Sequence, residues 1–495
     1  MTGPVDYVAF NAARQPGRTA AVDLASGRRW TYRVLDQAVA RCARVLREDF
    51  ECASGDRVAS LAKNRVELVI LHLACARTGL IYAPLNWRLS PAEIAAVLAD
   101  AEPRLVVGDG EMERAGVSGV SLDVLAEAID AAEPLAVEPG DPELPSLLLY
   151  TSGTSGRPKG VLLSERCLAR TALNFGLLGD VTRRSVFLID SPMFHIIGMV
   201  TSVRPALMHG GAILVSDGFQ PARTLARLGD PDLGISHYFC VPQMAAMLRG
   251  EPGFDPRAMA GLTAIFTGGA PHRAADIQAW LDLGVPVVDG FGMSEAGTVF
   301  TMPLDRDQIA ARAGAVGVAP PGIFSRIIDA DGRDCPDGVA GELLLRGENL
   351  FSGYWRRPEE TRAAFTSDGW FRTGDIALRD AEGFHWMVDR KKDMFISGGE
   401  NVYPAEIEQA LTGYPGLKEW AVVGVPDARW GEVGVCVLVT ADDAEVSRDA
   451  VRTHLAERLA RYKLPHRFEV IEALPRTASG KVRKNELRRW LTGSE

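Results

Sequence analysis

Arg57-Val58-Ala59-Ser60-Leu61, an apolar run over 66–76 and Leu80-Ile81-Tyr82-Ala83-Pro84 decide the fold. The first and last are short and apolar, as buried strands are, while 66–76 repeats apolar residues at helical spacing. Strand, helix, strand in so short a span is the alternation of a parallel or mixed sheet covered by helices. The pattern continues downstream. Ser90-Pro91 opens a helix that carries Ile94, Val97 and Leu98 on one face, and 104–107 reads as a further buried strand. More strand and helix pairs follow over 185–304. Over 323–346 the character changes to short strands broken by Asp331-Gly332 and Asp337-Gly338, which are hairpin turn signals and predict a β-rich subdomain.

A dense charge run, Asp389-Arg390-Lys391-Lys392-Asp393, separates two apolar strands. Beyond it the chain has an alternation of its own, with strands predicted at 421–425 and 433–440 and a helix near 448–459. The predicted architecture is α/β: a large N-terminal domain over 1–390, built of α/β-layered sheets plus the β-rich subdomain, and a small α+β C-terminal domain over 391–495. There is no internal repeat and no low-complexity tract.

Composition bounds the function. A chain of 495 residues exceeds one ordinary core, and 47% hydrophobic with 24% charged residues is the balance of a folded globular protein. The net charge of -10, without a Lys/Arg block, argues against nucleic acid as a partner. No stretch approaches the ~20 apolar residues of a membrane span, and the first residues lack a basic segment followed by an apolar run. A cytoplasmic location is expected. The seven cysteines (Cys42, Cys52, Cys75, Cys167, Cys240, Cys335, Cys436) are scattered and without CxxC spacing, so neither a disulfide framework nor a zinc site is indicated.

Residues 147–150 read as a buried strand that runs into Thr151-Ser152-Gly153-Thr154-Ser155-Gly156-Arg157-Pro158-Lys159-Gly160. Glycines and hydroxyls at this density make a loop whose amides and side-chain OH groups can wrap phosphate oxygens. The spacing differs from GxxxxGK[ST], which disfavours an ordinary P-loop NTPase. In Gly290-Phe291-Gly292-Met293-Ser294-Glu295, an aromatic in a glycine-rich turn can stack on a purine, while a hydroxyl and a carboxylate can meet phosphate and Mg²⁺. Asp375, after Gly374, is the kind of fixed acceptor that a ribose diol needs.

The loop resembles the phosphate loop of the adenylate-forming superfamily, which includes acyl-CoA synthetases, firefly luciferase and peptide-synthetase adenylation domains. Further matches follow in order at 192–198, 290–297, 341–355, 369–375, 389–408 and 475–481. The resemblance implies ATP, Mg²⁺ and coenzyme A, and a C-terminal domain that is mobile about a hinge near Lys392. It assigns ATP phosphates to Thr151, Ser152, Gly153, Thr154, Ser155, Gly156 and Lys159. Adenine goes to Phe291 within Gly290, Gly292 and Met293, the α-phosphate to Ser294, the metal to Glu295, and the ribose to Asp375 with Arg390 as helper. Phe291 and Ser294 stand where relatives more often have Tyr and Thr; ring face and hydroxyl are retained. Lys481 matches the adenylating lysine. Gly398, Gly399 and Glu400 match the strand and loop beside the pantetheine tunnel, and Trp430 a position that contacts the CoA nucleotide in some relatives.

His195 matches a position lining the acyl pocket. Around it Ile196, Ile197, Met199 and Val200 are apolar, as are Val299 and Phe300, and Gly268, Gly269 and Ala270 leave room, with Gly269 and Ala270 also expected among the cofactor-binding residues. An apolar acid is implied, fatty or aryl/arylpropenoic, with a lean to fatty acyl because Ile197 offers no phenol partner. The expected reaction is ATP-dependent: acid to acyl-AMP, then acyl-CoA. Two other readings share motifs, namely a freestanding ligase that loads a carrier protein and a silent adenylate binder. The presence of both Lys481 and Glu295 argues against the latter. A homodimer is compatible with all of this.

Overall fold

The computed structural model describes residues 6–136, 140–151, 158–269, 272, 274–329, 331–390, 395–402, 404–411, 413–441, 446–475, 482 and 484–493. The chain forms two compact units. One comprises Met1–Asn86, Ala101–Leu149 and Gly160–Asp389; the other comprises Trp87–Asp100, Tyr150–Lys159 and Arg390–Glu495.

In the first unit an eight-stranded sheet runs in the order Gly297–Thr301, Val287–Met293, Ala264–Thr267, His237–Cys240, Val186–Ile189, Ala212–Val215, Thr19–Asp23, Arg29–Thr31. The six inner strands are parallel to their neighbours, and the two edge strands pair antiparallel. Central strands such as Ala264–Thr267 and His237–Cys240 are buried at every residue, as strands covered on both faces must be. In sheets of this kind ligands bind beyond the carboxyl ends of the strands. Those ends here lead into Gly268-Gly269 and Gly290-Phe291-Gly292.

A second sheet has the order Gly353–Tyr354, Lys159–Ser164, Pro145–Thr151, Ile81–Pro84, Arg57–Leu61, Leu105–Gly108, Val120–Ser121. The predicted strand, helix, strand unit is present as Arg57–Leu61, Val66–Thr78 and Ile81–Pro84. Its helix ends at Gly79, whose φ of +72° is the left-handed cap that glycine supplies cheaply. The β-rich subdomain is a four-stranded sheet, Ile323–Ile328, Gly341–Gly347, Phe371–Arg379, His385–Arg390. Asp331-Gly332 closes a short hairpin that sets Ile328 opposite Asp334, and Asp337-Gly338 turns the chain back into the next strand.

In the second unit the helix Pro91–Ala101 starts with a capping box. The Ser90 amide and hydroxyl both bond Glu93 Oε2, and the Glu93 amide bonds Ser90 Oγ. The strands Glu400–Val402, Phe395–Ser397, Gly431–Thr440 and Leu417–Asp427 lie side by side, with Arg467–Val470 parallel to Gly431–Thr440. Both faces of the two long strands are covered. Val422, Cys436 and Leu438 face one core, and Ala421, Val423, Val435 and Val437 the other. The helix predicted near 448–459 is Arg448–Ala456. Among the described residues no helix is long and apolar enough to cross a membrane.

Candidate active site

The segment 290–301 is a hairpin with Phe291 opposite Phe300 and a bulge between Phe291 and Gly292. Close backbone approach requires glycine at Gly290 and Gly292. A Cβ on Gly290 would lie 2.8 Å from the Phe300 carbonyl oxygen, and one on Gly292 2.5 Å from that of Gly297. The Phe291 ring is half-buried, stacked on Phe300 at 5.9 Å, and Phe300 in turn stacks on His385 at 4.0 Å. One ring face of Phe291 is therefore backed by a layered aromatic floor. Burial pushes the His385 imidazole down to about 4, so the floor is uncharged at neutral pH. Phe300 was expected among the acid-lining residues; it is fully buried in this stack instead, because the hairpin register turns its ring under Phe291.

Met293 ends its strand opposite Gly297, Ser294 and Glu295 occupy the hairpin turn, and all three are half-buried. Tyr354 OH donates to Glu295 Oε1 at 3.0 Å, and the Glu295 carbonyl accepts the Phe351 amide, so the carboxylate is held by both its backbone and its side chain. An oriented, half-buried carboxylate of this kind is a hard oxygen donor that fits Mg²⁺.

His195 lies in the turn after Val186–Ile189, its ring against Phe194 at 4.6 Å. Buried Asn64 shapes this turn: its side chain donates to the Ser191 carbonyl at 2.8 Å and accepts the Met193 amide at 2.9 Å. A π-helical turn, Ile197–Ser202, follows directly. Such turns concentrate at functional sites. A Cβ on Gly198 would meet the Pro192 carbonyl oxygen at 2.2 Å, so this turn closes only with glycine. Ile197 Cδ1 and Val241 Cγ1 stand 3.4 and 3.9 Å from the Cβ position of Gly269, which has φ +79°. Thr201 and Thr298 hydroxyls lie 3.4 Å apart. The structure thus brings the His195 turn, the Gly269 segment and the 290–301 hairpin together at one end of the eight-stranded sheet. Met199 and Val200 are buried, leaving Ile196 and Ile197 half-exposed.

Buried beside them, Thr267 Oγ1 donates to Asp289 Oδ1 at 2.9 Å and lies 3.0 Å from His272 Nδ1. Burial pushes the Asp289 carboxyl up to about 8, against the pull of the Thr267 hydroxyl and the Gly290 amide.

Asp375 is buried on the strand Phe371–Arg379 in the four-stranded sheet. Its amide bonds Thr373 Oγ1 at 3.1 Å across Gly374, whose φ of +73° kinks the strand.

In the second unit, Thr151 ends one strand and Lys159 begins the next, with the Thr151 hydroxyl 3.4 Å from the Lys159 carbonyl. Gly398 and Gly399 both have left-handed φ, +57° and +83°. A Cβ on Gly398 would come within 2.9 Å of Trp430 Cε3, and the Gly398 amide bonds the Trp430 carbonyl at 2.9 Å. The Trp430 ring is 38% exposed, with the Arg429 guanidinium 4.8 Å over it. It is a surface ring, not a core one. Glu400 is buried and pairs with Arg88 at 2.5 Å. Ser152, Gly153, Thr154, Ser155, Gly156, Ala270, Lys392 and Lys481 lie outside the described residues, as does the Arg390 side chain.

The sequence reading missed Asn64, Tyr354, His385, Thr267 and Asp289. Their partners, Ser191 and Met193 for Asn64, Glu295 for Tyr354, Phe300 for His385, and one another for Thr267 and Asp289, are set by the fold and not by local sequence.

The model of AMP-binding enzymes matches residues 8–355, and that of the AMP-binding enzyme C-terminal domain matches residues 406–481. The chain is 38% identical to a feruloyl-CoA synthase of Amycolatopsis sp over 470 residues, 93% of either chain. It is 35% identical to the long-chain-fatty-acid–CoA ligase FadD13 of Mycobacterium tuberculosis over 494 residues, 96% of either chain. Its structure resembles the o-succinylbenzoate CoA synthetase MenE of Bacillus subtilis, a double mutant bound with the product analogue OSB-NCoA, with a TM-score of 0.88 at 30% identity over 98% of both chains. The order of motifs, the aromatic-floored hairpin and similarity along nearly the whole length agree: this chain belongs to the AMP-binding enzyme family, among its AMP-forming acyl-CoA synthetases.

Proposed function

We propose that the chain converts an apolar carboxylic acid to acyl-AMP and then to acyl-CoA, with the adenine on Phe291 and the acid between the His195 turn and Gly269. The observation that carries this reading is the convergence of that turn, Gly269 and the hairpin at the carboxyl ends of strands in the same sheet. An aryl or arylpropenoic acid has first support, from the relative named for feruloyl-CoA; a fatty acid is the alternative, from the relative named for long-chain fatty acids.

In the first step a carboxylate oxygen of the acid attacks the α-phosphorus of ATP, and the bond to the pyrophosphate oxygen breaks. This step needs alignment and charge neutralisation more than acid-base chemistry. Residues 151–159 would hold the phosphates, Ser294 the α-phosphate, and Asp375 with Arg390 the ribose. Lys481 would bridge the carboxylate and α-phosphate as charge develops. Mg²⁺, held by Glu295, would neutralise the leaving pyrophosphate. In the second step the thiol sulfur of coenzyme A attacks the acyl carbonyl and AMP leaves. The region beyond residue 390 would turn about Lys392 between the steps, withdrawing Lys481 and presenting Gly398, Gly399 and Glu400, with Trp430 beside the CoA nucleotide. Motion of this kind is gating. A cytoplasmic location fits reactions that draw on ATP and coenzyme A.

The test is pyrophosphate release over a panel of aryl, arylpropenoic, fatty and amino acids, each with and without coenzyme A. Turnover requiring one acid class and coenzyme A is expected. Pyrophosphate release without a CoA product would point to a carrier protein as acceptor, and no release with any acid would overturn the reading. Lys481→Ala should slow adenylation by at least ~10²-fold, while thiolysis of supplied acyl-AMP survives.

A further inference from the structure

Thr267, Asp289 and His272 are buried polar groups to which the proposed reaction assigns no role. Thr267 follows Ala264, Ile265 and Phe266 at the carboxyl end of its strand, where a valine would fit the same space and the same backbone. A buried polar trio is costly unless each member is satisfied, and a satisfied network fixes one geometry where apolar packing would tolerate several.

The location gives that geometry its use. Thr267 and Asp289 are register partners on adjacent parallel strands. One residue further on, a Cβ at Gly268 would lie 3.1 Å from the Gly290 carbonyl oxygen, so the two chains leave the sheet almost in contact. The first continues into Gly269, beside Ile197 and Val241; the second continues into Phe291. A hydroxyl has a single proton. With that proton donated to Asp289 Oδ1, His272 Nδ1–H must be the donor to Thr267, so one oxygen ties the loop to both strands.

We propose that Thr267 is a positioning residue for both substrates, its hydroxyl holding the acid-side segment and the adenine-side segment at a set spacing. This rests on the acid and nucleotide placement argued under the proposed function.

The experiment measures KM for acid and for ATP, separately, in wild type and variants, with thermal unfolding alongside. Thr267→Val should raise both KM values about tenfold, the worth of one good buried hydrogen bond, with Thr267→Ser restoring both. His272→Leu alters only the loop side and should raise the KM for acid while leaving that for ATP. Folded Thr267→Val with both KM values unchanged, or with a rise that Thr267→Ser does not reverse, overturns the proposal. Should Thr267→Val fail to fold, an unchanged acid KM in His272→Leu overturns it equally. Wild-type protein that releases no pyrophosphate with any acid would instead sink the proposed function, so the two failures are distinct.

Discussion

Arg204 offers the sharpest test of how the first unit is held together. It is 1% exposed, in the helix Val203–Met208 that follows the π-helical turn Ile197–Ser202. Its guanidinium grips Glu165 bidentately at 2.8 and 2.7 Å and lies 2.6 Å from His72 Nε2. Ser146 Oγ also donates to Glu165. Because Arg204 can only donate, His72 must accept as a neutral ring, and burial together with Arg204 pushes its pKa down to about 4. Burial alone would raise the Glu165 pKa, but Arg204 and His72 pull it far below the usual carboxylate range. Arg204→Met removes the cation and leaves a carboxylate in the interior. Breaking a buried pair from one side costs about 3–5 kcal/mol. For a cooperative unit of several hundred residues that is a fall in Tm of roughly 4–6 °C. In wild type the Glu165 contribution is complete above the unfolded carboxylate pKa and is lost only as pH falls through the depressed folded value. In the variant burial is unopposed, so the Glu165 pKa is raised, and the penalty grows as pH rises above the unfolded value and vanishes below it. The gap in Tm between wild type and variant should therefore be wide at pH 8 and narrower at pH 5. Glu165→Leu added to Arg204→Met should recover most of the loss. Thermal melts followed by far-UV circular dichroism measure all of this. A gap equal at the two pH values, or a double variant as unstable as the single one, would show that the Arg204–Glu165 pair does not hold this unit together.

Other substitutions read other parts of the molecule. Gly198→Ala puts a Cβ 2.2 Å from the Pro192 carbonyl, so the turn carrying His195 must shift; the KM for acid should rise at least ~10-fold while that for ATP changes less, as separate titrations would show. Gly398→Ala meets both a left-handed φ and the Trp430 ring. It should slow thiolysis of supplied acyl-AMP and spare pyrophosphate release, and an equal loss in the two half-reactions would contradict the placement of Gly398 in the second. Lys463 is 2% exposed and bonds Glu93 and Glu406 at 2.6 Å each; Lys463→Met leaves two buried carboxylates face to face and should cost about 3–5 kcal/mol, seen as faster limited proteolysis of the region beyond residue 390.

The α/β alternation of the first hundred residues was legible because apolar periodicity is a local property: Arg57–Leu61 and Val66–Thr78 are bounded by their own turn and cap residues. The same holds for the Asp-Gly turns and for the Ser90 cap. The π-helical turn at Ile197–Ser202 was not legible, because nothing in those residues forbids an ordinary helix; the close approach of Gly198 to the Pro192 carbonyl belongs to the packed turn. Phe300 was assigned to the acid pocket from its apolar character, but pairing register turned it under Phe291.

By itself the sequence determined the elements, the family and the glycines where backbones touch, and it supplied the proposal that Glu295 holds a hard cation and Phe291 a purine. Only tertiary structure decided which distant side chains orient them. Tyr354 reaches Glu295 from 59 positions away, Asn64 reaches Ser191 and Met193 from 127 and 129, and His385 lies beneath Phe300. The physical reason is that a hydrogen bond or a ring stack depends on distance and angle in space, which the sheet order sets. The sheet order brings together strands that no local pattern in the chain connects.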